Sequence, residues 1–343
     1  VPIRSCYNLP VKVCELGEFG LIDLLAGAVA ESGGRASGQR VVLGIGDDAA
    51  AWKGEAHLEL ATTDTLVEGV HFTQDIGWYE LGWKSLAANL SDIAAMGGVA
   101  RYALVSLALP DHTEVDQVVD MYRGMARLAQ EFEVAIVGGD TVSSPVVVIN
   151  IAVMGSAVAS QAILRRSAAR SGDLVAVTGY LGSAAGGLEV LRRGLHLDYE
   201  TGFFLRQAHF LPRPRLAEGQ ALVGRGVRAA IDISDGLVAD LGQIAKASQV
   251  GARLWVDKVP LHPLLKQAFK EEALGLALSG GEDYELLFTA PEPVIAEVEG
   301  ALSCPVTVVG DIIEGKAGQV ELLDARGRSF PWQGRGWEHF APA

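Results

Sequence analysis

Two successive series of short β-rich runs, interleaved with segments of helical periodicity, most constrain what this 343-residue chain can fold into. In the first, VVLGI (41–45), LELATTD (58–64), RYALVSLALP (101–110), VAIVGGD (134–140) and VVVINIAVMG (146–155) are bounded by Gly, Asp or Pro. Between them, residues 81–96 place Leu86, Leu90, Ile93 and Ala94 at helical spacing, and residues 115–131 do the same with Val118, Val119, Tyr122, Met125 and Leu128. The second series has LVAVTG (174–179), AAIDIS (229–234), ARLWVD (252–257), YELLFTA (284–290), VTVVGD (306–311) and VELLD (320–324), with helical patterns at 183–193, 236–248 and 263–272. A polar, Arg-rich stretch, 159–173, reads as the linker. The expectation is an α+β protein of two α/β domains, which suits roughly 150 residues per domain.

Apolar residues make up 49% of the chain, enough to offset the entropy of folding, so a disordered chain is excluded. Forty-two acidic against 28 basic residues give a net charge of -14. With no run of Lys or Arg to form a groove, nucleic acid and anionic membrane are not expected partners. No stretch reaches the ~18 apolar residues of a membrane span, and the first twenty residues lack the pattern of a secretory signal. Cys6, Cys14 and Cys304 are too few for a disulfide framework and have no CxxC spacing. The expected setting is the cytoplasm.

Acidic residues recur beside glycine or small residues, mostly at the ends of apolar runs. The segments are GIGDDAA (44–50), TTDTLVEG (62–69), NLSDIAAMGG (89–98), GGDTV (138–142), IDISDGL (231–237) and SGGEDYE (279–285). Alone, each has a bland explanation in turns or caps; Ser234 or Asp235 could simply cap the helix that begins near Gly236. Together they do not. Several of these carboxylates are flanked by apolar residues, and buried carboxylates cannot all stay ionised without counter-charge. Asp92 falls late in its predicted helix, where the dipole disfavours an anion. Hard divalent cations bound through oxygen are the economical counter-charge, which points to a Mg²⁺–phosphate site.

The chain has no Walker loop, no GxGxxG opening a helix after a strand, and no HExxH. TGYLGSAAGG (178–187) follows a strand and opens a helix, so its amides could cradle phosphate, although close helix–strand packing explains its glycines slightly better. His71 is the histidine beside the acidic segments; Trp337 is a core residue or a stacking face.

GEFGLI (17–22), GIGDDAA, TTDTLVEGVHF (62–72), WKSLAANLSDIAAMGG (83–98), GGDTV, IDISDGL and ALSGGEDYELLFT (277–289) closely resemble the thiamine-monophosphate kinases, a family of the aminoimidazole-ribonucleotide synthetase-like ATP-binding superfamily. The likeness begins near Gly17 and continues to about Phe340, so residues 1–16 read as an N-terminal extension, 17–158 as an ATP/Mg-binding and dimerisation domain and 159–343 as a C-terminal domain. It implies a homodimer whose N-terminal domains build a shared β-barrel, and transfer of the ATP γ-phosphate to thiamine monophosphate with several Mg²⁺ ions. By resemblance, Asp48 (with Asp47 a weaker candidate), Thr62, Thr63, Asp64, Asp92, Asp140, Asp232 and Asp235 are metal ligands, and Asp92, Asp140 and Asp232 are central to catalysis. Tyr122, Gly139, Asp140, Arg166 and Ser234 would meet ATP, while His71, Glu282 and Trp337 would meet the substrate. Arg165 adjoins Arg166 and is the alternative arginine for ATP. Other readings are a selenophosphate synthetase-like member, a Mg²⁺-dependent phosphatase or a non-catalytic nucleotide sensor.

Overall fold

The computed structural model describes residue 20 and residues 41–43, 46–54, 58–157, 163–334 and 336. The first part contains β1 (Val41–Leu43), β2 (Ala50–Lys53), β3 (Leu58–Val67), α1 (Trp78–Ala95), β4 (Gly98–Leu109), α2 (Val115–Glu131), β5 (Ala135–Ser143) and β6 (Val148–Ala157). Its six strands lie in the order β1-β2-β3-β6-β4-β5. All pairs are antiparallel except β4 and β5, the two strands joined through α2.

Strict alternation decides which face of this sheet is covered. In β6, Ile149, Ile151 and Val153 are buried while Asn150, Ala152 and Met154 alternate with them on the other face. The buried row packs on α1, which is enclosed by β3, β4, β6, α2, α5 (Leu216–Gly224) and β8 (Ala229–Asp232). Helices α1 and α2 approach closely because glycines face each other's backbone. A Cβ on Gly82 would lie 1.8 Å from the Met121 carbonyl oxygen, and one on Gly124 1.9 Å from that of Tyr79.

The second part runs β7 (Leu174–Thr178), α3 (Ser183–Arg193), α4 (Tyr199–Phe210), α5, β8, α6 (Leu237–Ala247), β9 (Gly251–Trp255), α7 (Pro263–Phe269), α8 (Glu272–Ser279), β10 (Leu286–Ala290), α9 (Glu292–Glu299), β11 (Val306–Ile313) and β12 (Val320–Leu323). Its six-stranded sheet has the order β12-β9-β11-β7-β10-β8, and only β12 and β9 pair in parallel. The α+β class is therefore realised as two mixed sheets. One hydrophobic cluster joins them: Leu86, Leu90 and Ile93 of α1 share it with Ala176, Ala230, Leu286 and Phe288 of the second sheet.

Several elements differ from the sequence expectation. The helix expected over 263–272 ends at Phe269, because Lys270 takes a left-handed backbone, φ +48°. The strand expected from Tyr284 begins at Leu286, since Glu282 and Tyr284 have φ of +59° and +49°. Strand β2 and helices α4, α5, α8 and α9 have no counterpart in the sequence reading. Among the described residues, no helix is long and apolar enough to cross a membrane.

Candidate functional site

Strand β8 ends in Asp232, buried where it pairs with Leu286 of β10. The last turn of α1 delivers Asp92, and the loop between β1 and β2 delivers Asp47 and Asp48. Oxygens of Asp48, Asp92 and Asp232 all lie within 4.8 Å of one another. Hydroxyls brace the group: Ser91 Oγ donates to Asp232 Oδ2 at 2.7 Å, and Thr62 Oγ1 to Asp92 Oδ2 at 2.5 Å. Asp64, also on β3, donates its backbone N–H to Asn89 Oδ1 at 3.1 Å, and its side chain bonds with that of Asp92.

Among the described residues, one cation is in direct contact with this set. Arg166 grips Asp48 with both arms of its guanidinium, Nε at 3.0 Å and Nη2 at 2.7 Å, while its backbone N–H faces Asp47. The turn Arg166–Ala168 is itself pinned, because Ser248 Oγ donates to the Arg166 carbonyl and accepts from the Ala169 N–H. Arg165 instead gives its backbone N–H to the Arg228 carbonyl.

The electrostatic consequence is an excess of negative charge in a place poor in water. Burial, then Asp48, pushes Asp47 up to about 7. Burial also lifts Asp64 to about 6, with Asp48 adding to it. Asp92 and Asp232 sit well above the ordinary carboxylate range, from burial first and from neighbouring carboxylates second. Burial opposes the charge on Arg166, but Asp48 and Asp47 outweigh it. A single guanidinium cannot neutralise five acids. The donors are all hard oxygens, so the set fits a hard divalent cation.

Beside the cluster, the segment SGGEDYE sends its acids in three directions. The Glu282 backbone N–H bonds to the Ser234 carbonyl, and its side chain meets Lys84 Nζ at 2.7 Å. His209 Nδ1 lies 3.3 Å from the other Glu282 oxygen but makes no aligned hydrogen bond there. Burial opposes the Glu282 charge; Lys84, then His209, overcomes it and brings the carboxyl down to about 2. Asp283 accepts from the Gly182 and Ala184 N–H groups, and Glu285 takes Thr178 Oγ1 and a bidentate Arg215.

These sheets and this cluster match the family described as AIR synthase related protein, its N-terminal domain over residues 46–157 and its C-terminal domain over 170–322. A thiamine-monophosphate kinase of Salmonella typhimurium is 40% identical over 334 residues, covering 95% of this chain and 98% of that protein. The Bacillus subtilis thiamine-monophosphate kinase is 38% identical over 313 residues, covering 88% and 94%. The chain belongs to the thiamine-monophosphate kinase family. Among solved structures of that family, AaThiL complexed with AMPPCP and TMP superposes with a TM-score of 0.84 at 33% identity, covering 97% of this chain and all (100%) of that one.

Within this thiamine-monophosphate kinase fold, the residues expected from the sequence separate into two groups. Asp48, Thr62, Asp64, Asp92, Asp232 and Arg166 come together. Ser234 and Asp235 follow directly on β8. Neither caps α6; Asp240, in its first turn, reaches back to accept from the Asp235 and Gly236 N–H groups at 3.2 and 3.0 Å. His71 lies just past β3, and its Nδ1 accepts from the Val67 N–H at 3.0 Å, which puts the proton of the neutral ring on Nε2.

Thr63 alternates with Thr62 and Asp64 and is exposed, its Oγ1 donating to the Ile151 carbonyl. Asp140 is exposed on edge strand β5 opposite Ser106, and Gly139 precedes it where a Cβ would lie 1.7 Å from the Val105 carbonyl oxygen. Tyr122 lines a shallow groove on α2 with Val118, Val119 and Arg123. Trp337, Gly44, Ile45, residues 1–16 and GEFGLI apart from Gly20 lie outside the described residues. Two amides of TGYLGSAAGG, those of Gly182 and Ala184, are turned to Asp283, and a Cβ on Gly187 would meet the Leu205 carbonyl of α4 at 2.1 Å, so that glycine serves helix–helix rather than helix–strand packing.

Lys84, His209, Asp240 and Tyr284 escape the sequence reading. Tyr284 is buried, and its hydroxyl is held well above its usual range by burial first, then by Glu282, Asp64, Asp232 and Asp92. For Lys84 the local signal is slight: it stands inside WKSLAANL, among mostly apolar or small residues, with Glu80 one turn before it.

Proposed function

We propose that the chain transfers the γ-phosphate of ATP to thiamine monophosphate, giving thiamine diphosphate and ADP, with Mg²⁺ held by Asp48, Asp92 and Asp232 and by Thr62 and Asp64 beside them. What carries the reading is the convergence of three carboxylates from distant segments to within 4.8 Å. The support from outside is that the relatives are thiamine-monophosphate kinases and that a solved neighbour is complexed with AMPPCP and TMP.

The acceptor is a phosphate monoester, whose second pKa is near ~6, so at neutral pH it is mostly dianionic and needs no general base. The obstacle is bringing one anion against another. Bound at these oxygens, divalent cations supply the neutralising charge and a template for in-line approach. The chain's own contribution is to fix the oxygens: Ser91 and Thr62 orient Asp232 and Asp92. Arg166, reaching in from the turn within the linker, adds a cation for the ATP phosphates. His71, oriented by the Val67 N–H at its Nδ1, meets the substrate, and Glu282 meets the thiamine portion as a fixed, ionised acceptor. Trp337, Thr63, Tyr122, Gly139, Asp140, Ser234 and Asp235 take their roles from the family resemblance alone.

The reading also pairs two copies through the outer face of the first sheet, closing a shared β-barrel. Its support is apolar exposure: Tyr102 and Leu104 on β4 and Val137 and Val142 on edge strand β5 all face outward. An exposed apolar edge strand is a template for pairing.

Measuring ADP formation with thiamine monophosphate, thiamine or no acceptor, each with and without Mg²⁺, tests the activity. ADP should appear only with thiamine monophosphate and Mg²⁺ together. ADP without acceptor would make the protein a hydrolase, and nucleotide binding without turnover a sensor.

A further inference from the structure

Lys84 is the largest fully buried side chain of the described residues, 2% exposed, in the middle of α1. Its ammonium lies 2.7 Å from Glu282 Oε1. Glu282 in turn sits on a left-handed backbone, φ +59°, which costs a non-glycine residue on the order of 1 kcal/mol. Two backbone hydrogen bonds hold that conformation: Glu282 N–H to the Ser234 carbonyl at 2.8 Å and Tyr284 N–H to the Ile233 carbonyl at 2.9 Å. The buried ring of His209 packs against the second oxygen. The carboxylate is thus gripped from α1, α4 and the loop after β8, while 29% of its side chain remains open.

Folding alone does not require such an arrangement. Replacing a buried ion pair by apolar side chains of similar volume is commonly neutral or stabilising, and the buried residues of α1 carry no other charge, only Leu, Ile, Ala, Trp and Gly with the neutral Ser85, Asn89 and Ser91. An ion pair maintained against that cost, together with a strained backbone, indicates that a carboxylate is wanted at this place in one orientation. A carboxylate whose charge is shared with an ammonium is a poor free counter-ion and a good directional acceptor.

We propose that Lys84 is a positioning residue for acceptor recognition: through its ion pair it fixes the Glu282 carboxylate in the one geometry that meets the thiamine portion of the substrate. The proposal rests on the reading that Glu282 touches the acceptor. Lys84 itself does not touch it. Its influence is on acceptor selection, and nucleotide binding and the metal cluster are left to other residues.

The test uses the full chain carrying Lys84→Met, Glu282→Gln, or both, with KM for thiamine monophosphate, KM for ATP, kcat and thermal stability measured for each. Both single variants should raise the acceptor KM about ten-fold or more, the scale of a lost hydrogen bond to a charged group, with KM for ATP and kcat little altered. The double variant should match Glu282→Gln, because Lys84 acts only through Glu282. An unchanged acceptor KM in Glu282→Gln would defeat the acceptor-site reading itself. A raised KM in Glu282→Gln with none in Lys84→Met would defeat the positioning role alone. Parallel losses in kcat and both KM values in Lys84→Met would make the residue merely structural and overturn the proposal. Should Lys84→Met unfold by stranding a buried carboxylate, the double variant decides: an acceptor KM equal to that of Glu282→Gln supports the proposal, and a further rise refutes it.

Discussion

Replacing Asp92 by Asn separates what the acidic cluster costs the fold from what it gives to catalysis. Oxygens of Asp48, Asp92 and Asp232 approach within 4.8 Å; at an effective dielectric constant near 20, two unit charges that far apart repel by ~3.5 kcal/mol. Asp92 faces two such neighbours, with Asp64 a third. Arg166 and partial protonation absorb much of this, which leaves a net relief on the order of 1–3 kcal/mol in the chelated protein. The pKa of Asp92 in the fold is raised above its unfolded value. Its contribution to stability is therefore complete below the unfolded pKa and is lost as pH rises. An asparagine never ionises, so its advantage should grow as pH rises from 5 to 8. At ~2–4 °C per kcal/mol, the variant in chelator at pH 8 should melt several degrees above the parent. Turnover should fall about a hundred-fold or more, since several kcal/mol of charge stabilisation passes through that carboxylate. Melting curves in chelator at both pH values and a coupled ADP assay are the measurements. A variant that melts lower than the parent at pH 8, or that keeps its turnover, would falsify the electrostatic account.

The same reasoning makes cation binding pH-dependent. With Asp64 lifted to about 6 and Asp47 to about 7, protons compete for the site between pH 5 and 7, so Mg²⁺ should raise the melting temperature more at pH 8 than at pH 5 and release protons on binding; equal shifts at the two pH values would contradict it. Arg166→Met removes the guanidinium from Asp48 and Asp47, and should destabilise the chelated protein by about 3 kcal/mol at neutral pH while raising the KM for ATP. An unaltered denaturation midpoint would show that the pair is not held as described. Val137→Asp places a charge on the exposed apolar edge of the first sheet and should shift sedimentation from dimer to monomer with little change in melting temperature; a variant that sediments like the parent would remove that face from the interface.

How much of this is legible in the sequence depends on whether the decisive relation is local. Alternation along VVVINIAVMG is local, and it predicts the buried row of β6; the periodicity over 81–96 likewise finds α1, observed at 78–95. Helices α4 and α5 are not found, because sequences such as YETGFFLRQAHF cluster their apolar residues and acquire a buried side only by packing on α3 and α1. The break at Lys270 is invisible for the same reason: nothing in FKEE marks a left-handed residue.

The site divides along the same line. Asp48, Asp92 and Asp232 stand out because acids flanked by apolar or small residues break a local rule. A further local rule was available in TTDT, where a strand period of two puts Thr62 and Asp64 on one face and Thr63 on the other. Lys84 and Asp240 carry no such mark. On a helix of unknown surroundings, a lysine reads as solvated and an aspartate in the first turn as a dipole partner. Their roles exist only once Glu282 is brought to Lys84, and once the loop after β8 folds back over the start of α6. A charged residue in mid-helix becomes informative when every neighbour within one turn is apolar or small. Lys84 falls short of that condition: Leu81, Ala87 and Ala88 flank it, but Glu80 stands one turn before it, so in the sequence an ordinary i, i+4 surface pair explains the lysine, and only the fold brings Glu282 to it.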